Sequence, residues 1–288
     1  MKKRIFITGA TSFLGSSLVL VLKDSYELTV LAHRNMPTVE GVRIINGGLE
    51  DIAAWENELS EIDIMIHLAA ITHSRDIGQY EKINALGTRD LVEFAKRHHV
   101  QQFIFISTRA IGANCGAYGL SKEHAEQYVQ KSGLTYTTIR VGEAYDDDWS
   151  KAEGLGGMAS LMHKSPIVPY LSGLHSTLAP IHKDDIRDGI LATIGNETTH
   201  AKTYTLAGPE NLSFKQIVQR MCAKENVKRV LIPMPIIFAR VGFFILSTVL
   251  KKASPDQFQR LLGDKKPLSE DVATDLHIRP RLFLLQSK

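Results

Sequence analysis

The segment that most constrains this 288-residue chain is its first element, Arg4-Ile5-Phe6-Ile7-Thr8-Gly9-Ala10-Thr11-Ser12-Phe13-Leu14-Gly15. Apolar β-formers run from Ile5 to Ile7 into a turn bounded by Gly9 and Gly15, and from Phe13 the spacing of Leu14, Leu18 and Leu22 is helical. A strand that turns tightly into a helix aims unpaired N–H groups and the positive end of a helix dipole at one point, which suits a phosphate. Glycines there let backbone and neighbouring strand come close. Gly9, Thr11, Ser12, Phe13, Leu14 and Gly15 are therefore predicted to hold the phosphate of a cofactor.

Further strands are predicted at Glu27 to Ala32 and Val42 to Asn46, then a helix beginning near Asp51 as its N-cap, and a buried strand from Ile64 to Ala70. An amphipathic helix from Glu81 to His98, a strand from Phe103 to Ser107, a helix from Tyr118 to Lys131 ended by Gly133, and a strand from Thr135 to Arg140 follow. Such alternation predicts an α/β fold, a Rossmann-like doubly wound parallel sheet. The rhythm fails after Arg140. Residues 1–141 are read as the dinucleotide-binding domain, its sheet completed by segments around 178–207, and 142–288 mostly as a smaller C-terminal substrate lobe. That lobe should hold helices at Asp184 to Thr193 and Phe214 to Lys224, a strand at Thr203 to Leu206, and an apolar segment from Ile236 to Leu250.

A net charge of +3 from 34 basic and 31 acidic residues, with no basic run interleaved with aromatics, argues against a nucleic-acid partner. Cys115 and Cys222 form no CxxC pair, and the eleven histidines form no HExxH, so neither a disulfide framework nor a metal site is expected. The basic start Lys2-Lys3-Arg4 resembles the head of a signal peptide, but Thr8, Gly9, Thr11 and Ser12 interrupt the apolar run at once, so a cytoplasmic protein is expected.

Tyr118-Gly119-Leu120-Ser121-Lys122 carries the chemistry. An i, i+4 spacing sets Tyr118 and Lys122 on one helix face, where an ammonium favours the phenolate. Ser107, with Thr108 as its fallback, ends a strand where an open parallel sheet binds ligands, and a hydroxyl there can polarise a carbonyl. Together they suit a hydride transfer with a nicotinamide, Tyr118 handling the proton on oxygen.

On these residues the chain resembles the extended or atypical short-chain dehydrogenase/reductase superfamily, in the group of NAD(P)-dependent epimerases and dehydratases. Thr8 to Gly15 is similar to its TGxxGxxG turn, and Ile66-His67-Leu68-Ala69-Ala70 to the segment that passes under the cofactor. Asn84-Ala85-Leu86-Gly87-Thr88 is similar to its N-x-x-G-T helix, and Ser107, Tyr118 and Lys122 to its catalytic triad. The resemblance implies that Leu68, Ala69, Ala70, Asn84, Tyr118 and Lys122 serve the cofactor site, with Lys122 on the nicotinamide ribose. Ser12 departs from the pattern by replacing the middle glycine, and its Cβ would restrict the turn if positive φ were required. Only ten residues separate Ser107 from Tyr118, whereas members acting on nucleotide sugars carry a longer loop.

The second strand ends in Leu31-Ala32-His33-Arg34, with a guanidinium where an NAD-binding carboxylate would stand, so NADP is expected in preference to NAD. The apolar segment is shorter than the about 20 residues of a membrane span and contains Arg240, which predicts a helix of the second lobe. Lys251 and Lys252 flank it as interfacial anchors would, so a weak membrane-surface contact through 236–252 is the other reading. The expected partner is a small-molecule substrate, and a homodimer is compatible with the sequence. The rival to an oxidoreductase is a non-catalytic NADP(H)-binding redox sensor or an accessory subunit of a membrane complex.

Overall fold

The computed structural model describes residues 2–33, 39–59, 61–148, 155–172, 177–245 and 255–284. The opening segment forms strand β1 (Arg4–Thr8) and helix α1 (Phe13–Leu22). Strands β2 (Glu27–Ala32), β3 (Arg43–Asn46) and β4 (Ile64–His67), helix α2 (Gly87–Arg97), strand β5 (Gln102–Thr108), helix α3 (Gly116–Gln130) and strand β6 (Tyr136–Val141) complete the first part of the chain. Then come β7 (Ala144–Tyr145), α4 (Leu155–Lys164), β8 (Ile167–Ser172), β9 (Ile181–His182), α5 (Lys183–Leu191), β10 (Lys202–Leu206), α6 (Phe214–Lys224), β11 (Val230–Pro235), α7 (Ile236–Phe244), α8 (Pro255–Leu262) and α9 (Val272–Asp275).

The main sheet has seven parallel strands in the order β10-β6-β5-β4-β1-β2-β3. Its strand order reverses between β1 and β4, the place where an open α/β sheet receives a ligand. Both faces are covered, as a parallel sheet requires. Ile5 and Ile7 of β1 join one apolar layer with Leu18 of α1 and Ile186 and Ile190 of α5, while Phe6 joins the other with Trp55 and with Leu91 and Phe94 of α2. The later strand β10 completes this sheet by pairing with β6. A separate core of Tyr145, Met162, Val168, Leu212, Ile217 and Phe283 lies beside the two-stranded sheet β8–β11.

Three elements differ from the sequence expectation, and a fourth is described only in part. No α-helix starts at Asp51; two single 3-10 turns, Ile52–Ala54 and Glu56–Glu58, stand there, and Asp51 makes no side-chain cap. The cause is Trp55, which tilts against Phe6 and Phe94 and donates from Nε1 to the Gly48 carbonyl at 2.9 Å, fixing the chain to the sheet. β4 ends at His67; Leu68 N still donates to the Thr8 carbonyl at 3.1 Å, and Ala69 then packs on Gly9 of the glycine turn. The helix expected from Glu81 opens as a π-helical segment, Tyr80–Leu86. Of the apolar segment, Ile236–Phe244 is helical, whereas Leu246 to Lys252 lie outside the described residues.

Candidate active site

The glycine turn is shaped by close approach. Gly9 has φ +75°, and a Cβ there would come within 2.6 Å of the Ala69 nitrogen; one on Gly15 would meet the Gly9 carbonyl oxygen at 2.1 Å. Ser12 needs no glycine conformation. It sits at φ −70° as the N-cap of α1, and its Oγ accepts from the Gly15 N–H at 3.1 Å. Ser12, Phe13 and Leu14 line a cavity of about 430 Å³, together with Leu68 and Ala70 from across the strand-order reversal. Thr11 is exposed on the turn and Ala69 packs on Gly9.

A buried polar chain holds these two loops together. Thr88 Oγ1 donates to the Asn84 carbonyl at 2.6 Å, so it must accept from His67 Nε2 at 2.9 Å, which leaves Nδ1 to accept from Thr8 Oγ1 at 2.6 Å. Complete burial, and the Lys122 charge behind it, hold the His67 pKa well below its ordinary value, in keeping with a neutral ring. Asn84 spends its amide on scaffolding: Oδ1 accepts from Ile71 N at 2.8 Å, and Nδ2 donates to Ile71 O at 3.1 Å and Ser121 Oγ at 3.2 Å. The π-helical segment turns that amide inward, a common use of such bulges.

Ser107, Thr108, Tyr118 and Lys122 all line the cavity. Ser107 Oγ is buried and has no hydrogen-bond partner in the structure, a state a strand-end hydroxyl sustains only where a ligand or water completes it. Thr108 Oγ1 instead accepts from Ala110 N at 3.2 Å, a turn contact. Lys122 is buried, donates to the Ile106 carbonyl at 2.9 Å and lies 4.2 Å from the Phe105 ring centroid. Burial drives its pKa down to about 7.

The far end of the chain closes over Tyr118. Asp256 Oδ1 of α8 accepts from Tyr118 N at 3.2 Å, capping the first turn of α3. Gly116, at φ +76°, makes room, since a Cβ there would lie 2.2 Å from that oxygen. Arg260 pairs with Asp256 at 3.2 Å, donates to the Thr72 carbonyl at 2.8 Å, and stacks on the Tyr118 ring. Arg109 and Lys265 also line the cavity; Arg109 Nε lies 3.7 Å from Glu143, and burial lowers the Lys265 pKa. Sequence reading named none of Asp256, Arg260, Arg109 or Lys265. The order Asp256 to Arg260 is an i, i+4 ion pair, but nothing local says what it caps.

His33 stands exposed at the end of β2, with Nε2 3.7 Å from Glu50 Oε1. Arg34, the residue expected to select the dinucleotide, lies outside the described residues. No group of three or more His, Cys, Asp or Glu side chains among the described residues is placed to hold a metal ion.

The glycine cradle, which any Cβ would fill, is set at the strand-order reversal and faces a wall carrying Ser107, Tyr118 and Lys122, an arrangement that suits a dinucleotide on a Rossmann-like sheet. Comparison with known proteins agrees. Residues 5–146 match the model of the NAD dependent epimerase/dehydratase family. It is 27% identical over 194 residues to a ceramide reductase of Caulobacter vibrioides, covering 65% of this chain and 60% of that protein. It is 23% identical over 264 residues to a UDP-glucose 4-epimerase of Vibrio cholerae, covering 82% and 80%. Among solved structures, the UDP-glucose 4-epimerase of Thermotoga maritima superposes with a TM-score of 0.73 at 18% identity, covering 98% of this chain and 94% of that one. The UDP-glucuronic acid 4-epimerase of Bacillus cereus gives the same score at 18% identity, covering 98% and 95%.

Proposed function

We propose that this chain interconverts a carbonyl and an alcohol, using NADP in preference to NAD. The reading is carried by the orphaned Ser107 hydroxyl, which shares one cavity wall with Tyr118 and Lys122 beside the glycine turn. A bound nicotinamide supplies or takes the hydride. Ser107 holds the reacting oxygen, and Tyr118 gives that oxygen its proton or removes it. Lys122, with its pKa near 7, shares the proton with the tyrosine and binds the ribose. The NADP preference rests on the Arg34 guanidinium in sequence and on the absence of a carboxylate from residues 31–34.

The cavity walls include an apolar set, Val141, Leu155, Met158, Leu178 and Leu261, beside the charged Arg109, Glu143, Arg260 and Lys265. That apolar set, the ten-residue spacing from Ser107 to Tyr118, and the similarity to a ceramide reductase support a ketone or alcohol with an apolar body over a nucleotide sugar. Titration with NADPH and NADH, followed by NADPH oxidation across apolar ketones, sugar nucleotides and small carbonyls, tests the proposal. Turnover of an apolar ketone is expected. Tight NADPH binding with no turnover across the panel would favour the redox-sensor reading.

A further inference from the structure

Helix α7 presents an apolar face to solvent. Ile237, Phe238, Val241 and Phe244 are 65%, 66%, 56% and 63% exposed, and Ile245 follows at 43%. The spacing i, i+1, i+4, i+7 and i+8 gathers them into one stripe, while Ala239 is the side chain α7 buries. Isolated exposed hydrophobics need no explanation, but a continuous helical stripe of them does. No helix among the described residues is long and apolar enough to cross a membrane.

The charge around the stripe indicates what covers it. From Asn226 to Pro255 the sequence contains no acidic residue and five basic ones, Lys228, Arg229, Arg240, Lys251 and Lys252. Arg240 is exposed on α7 itself. A second copy docking isologously would set this wholly basic stretch against itself. An anionic lipid surface offers the opposite charge and an apolar layer beneath it, the combination that holds an interfacial helix in its plane. We propose that α7 is a membrane-surface anchor that docks the protein on anionic phospholipid. Phe243 of α7 stacks on Phe258 of α8 with centroids 5.2 Å apart, and α8 supplies Gln257, Arg260 and Leu261 to the cavity wall. Docking through α7 thus brings the cavity within one helix of the lipid.

Flotation of the full chain with vesicles of phosphatidylcholine alone, and of phosphatidylcholine mixed with phosphatidylglycerol, tests this without reference to turnover. Binding to the mixed vesicles is expected, falling with added salt, about fivefold for each basic residue at the surface that is neutralised. The double variant Phe238→Asp, Val241→Asp should lose about tenfold or more of the binding while keeping its circular dichroism and melting temperature, because both side chains are exposed. Three results would overturn the proposal: absence of flotation with either vesicle, flotation of the double variant equal to that of the parent, or a parent dimer that the double variant converts to a monomer without any vesicle binding. A variant that unfolds is replaced by Arg240→Glu, which must weaken flotation on mixed vesicles if the surface is the one proposed.

Discussion

The Arg260 guanidinium carbon lies 4.5 Å from the centroid of the Tyr118 ring, so a cation delivered by α8 covers the phenol that α3 presents to the cavity. Its remaining contacts, to Asp256 and to the Thr72 carbonyl, tie α8, α3 and the loop after β4 into one unit. Cutting Arg260→Ala removes a cation–π contact and a charged hydrogen bond, together worth about 2–4 kcal/mol, and leaves Asp256 without its cation. The melting temperature should drop by about 2–4 °C for each kcal/mol lost. Hydrogen exchange should accelerate in 255–262 ahead of the sheet; uniform acceleration would show that α8 is not a separable unit.

Tyr118→Phe keeps the ring that packs edge-on against Tyr80 at 5.9 Å and the backbone N–H that Asp256 caps. Turnover should fall by about 10²–10⁴-fold, the usual contribution of a positioned proton donor, with NADPH affinity within about twofold by fluorescence titration, well inside the 1.4 kcal/mol of a tenfold change. Retained activity would take the phenol out of the chemistry.

Lys122 ties stability to pH. Its folded pKa of about 7 lies below the ordinary 10.5, so in the window between them the unfolded chain holds the proton that the folded chain has released. The destabilisation is complete below about pH 7 and fades toward pH 10.5. Lys122→Met should therefore abolish turnover yet melt higher than the parent at neutral pH, and chemical denaturation should show the difference shrinking as pH rises. A pH-independent difference would locate the burial cost elsewhere.

His67 acts in the same direction at lower pH. Its folded pKa is depressed from 6.5, so stability present above about 6.5 is lost as pH falls, with a slope approaching about 1.4 kcal/mol per pH unit for one proton. Urea midpoints between pH 5 and 7 should slope less in His67→Gln than in the parent, even though the variant starts less stable because the links to Thr8 and Thr88 are altered.

What could be read from the sequence was what repeats at short range. The strand–turn–helix at Thr8 to Gly15, the alternation through β6, and the four residue spacing of Tyr118 and Lys122 each depend on neighbours within a few positions. The misread helix at Asp51 failed because Trp55 answers to Phe6 and Phe94, contacts that no window around Asp51 contains. Ser12 fits where a glycine is usual because it sits at φ −70°, a torsion that any residue adopts and that sequence does not display. Asp256 and Arg260 stayed invisible for the same reason as Trp55, since their partners Tyr118 and Thr72 lie 138 and 188 positions away.

The cap that Asp256 places on α3 also bears on the order in which the molecule is completed. During synthesis the strands up to β10 leave the ribosome before residue 256 exists, so the parallel sheet can assemble while the first turn of the tyrosine-bearing helix still has an unanswered N–H. Gly116, at φ +76°, holds that turn open for a carboxylate that arrives late. Deletions that stop short of α8 should thus leave a sheet able to form and a cavity wall unfinished, making the distant segment a last-installed part of the site.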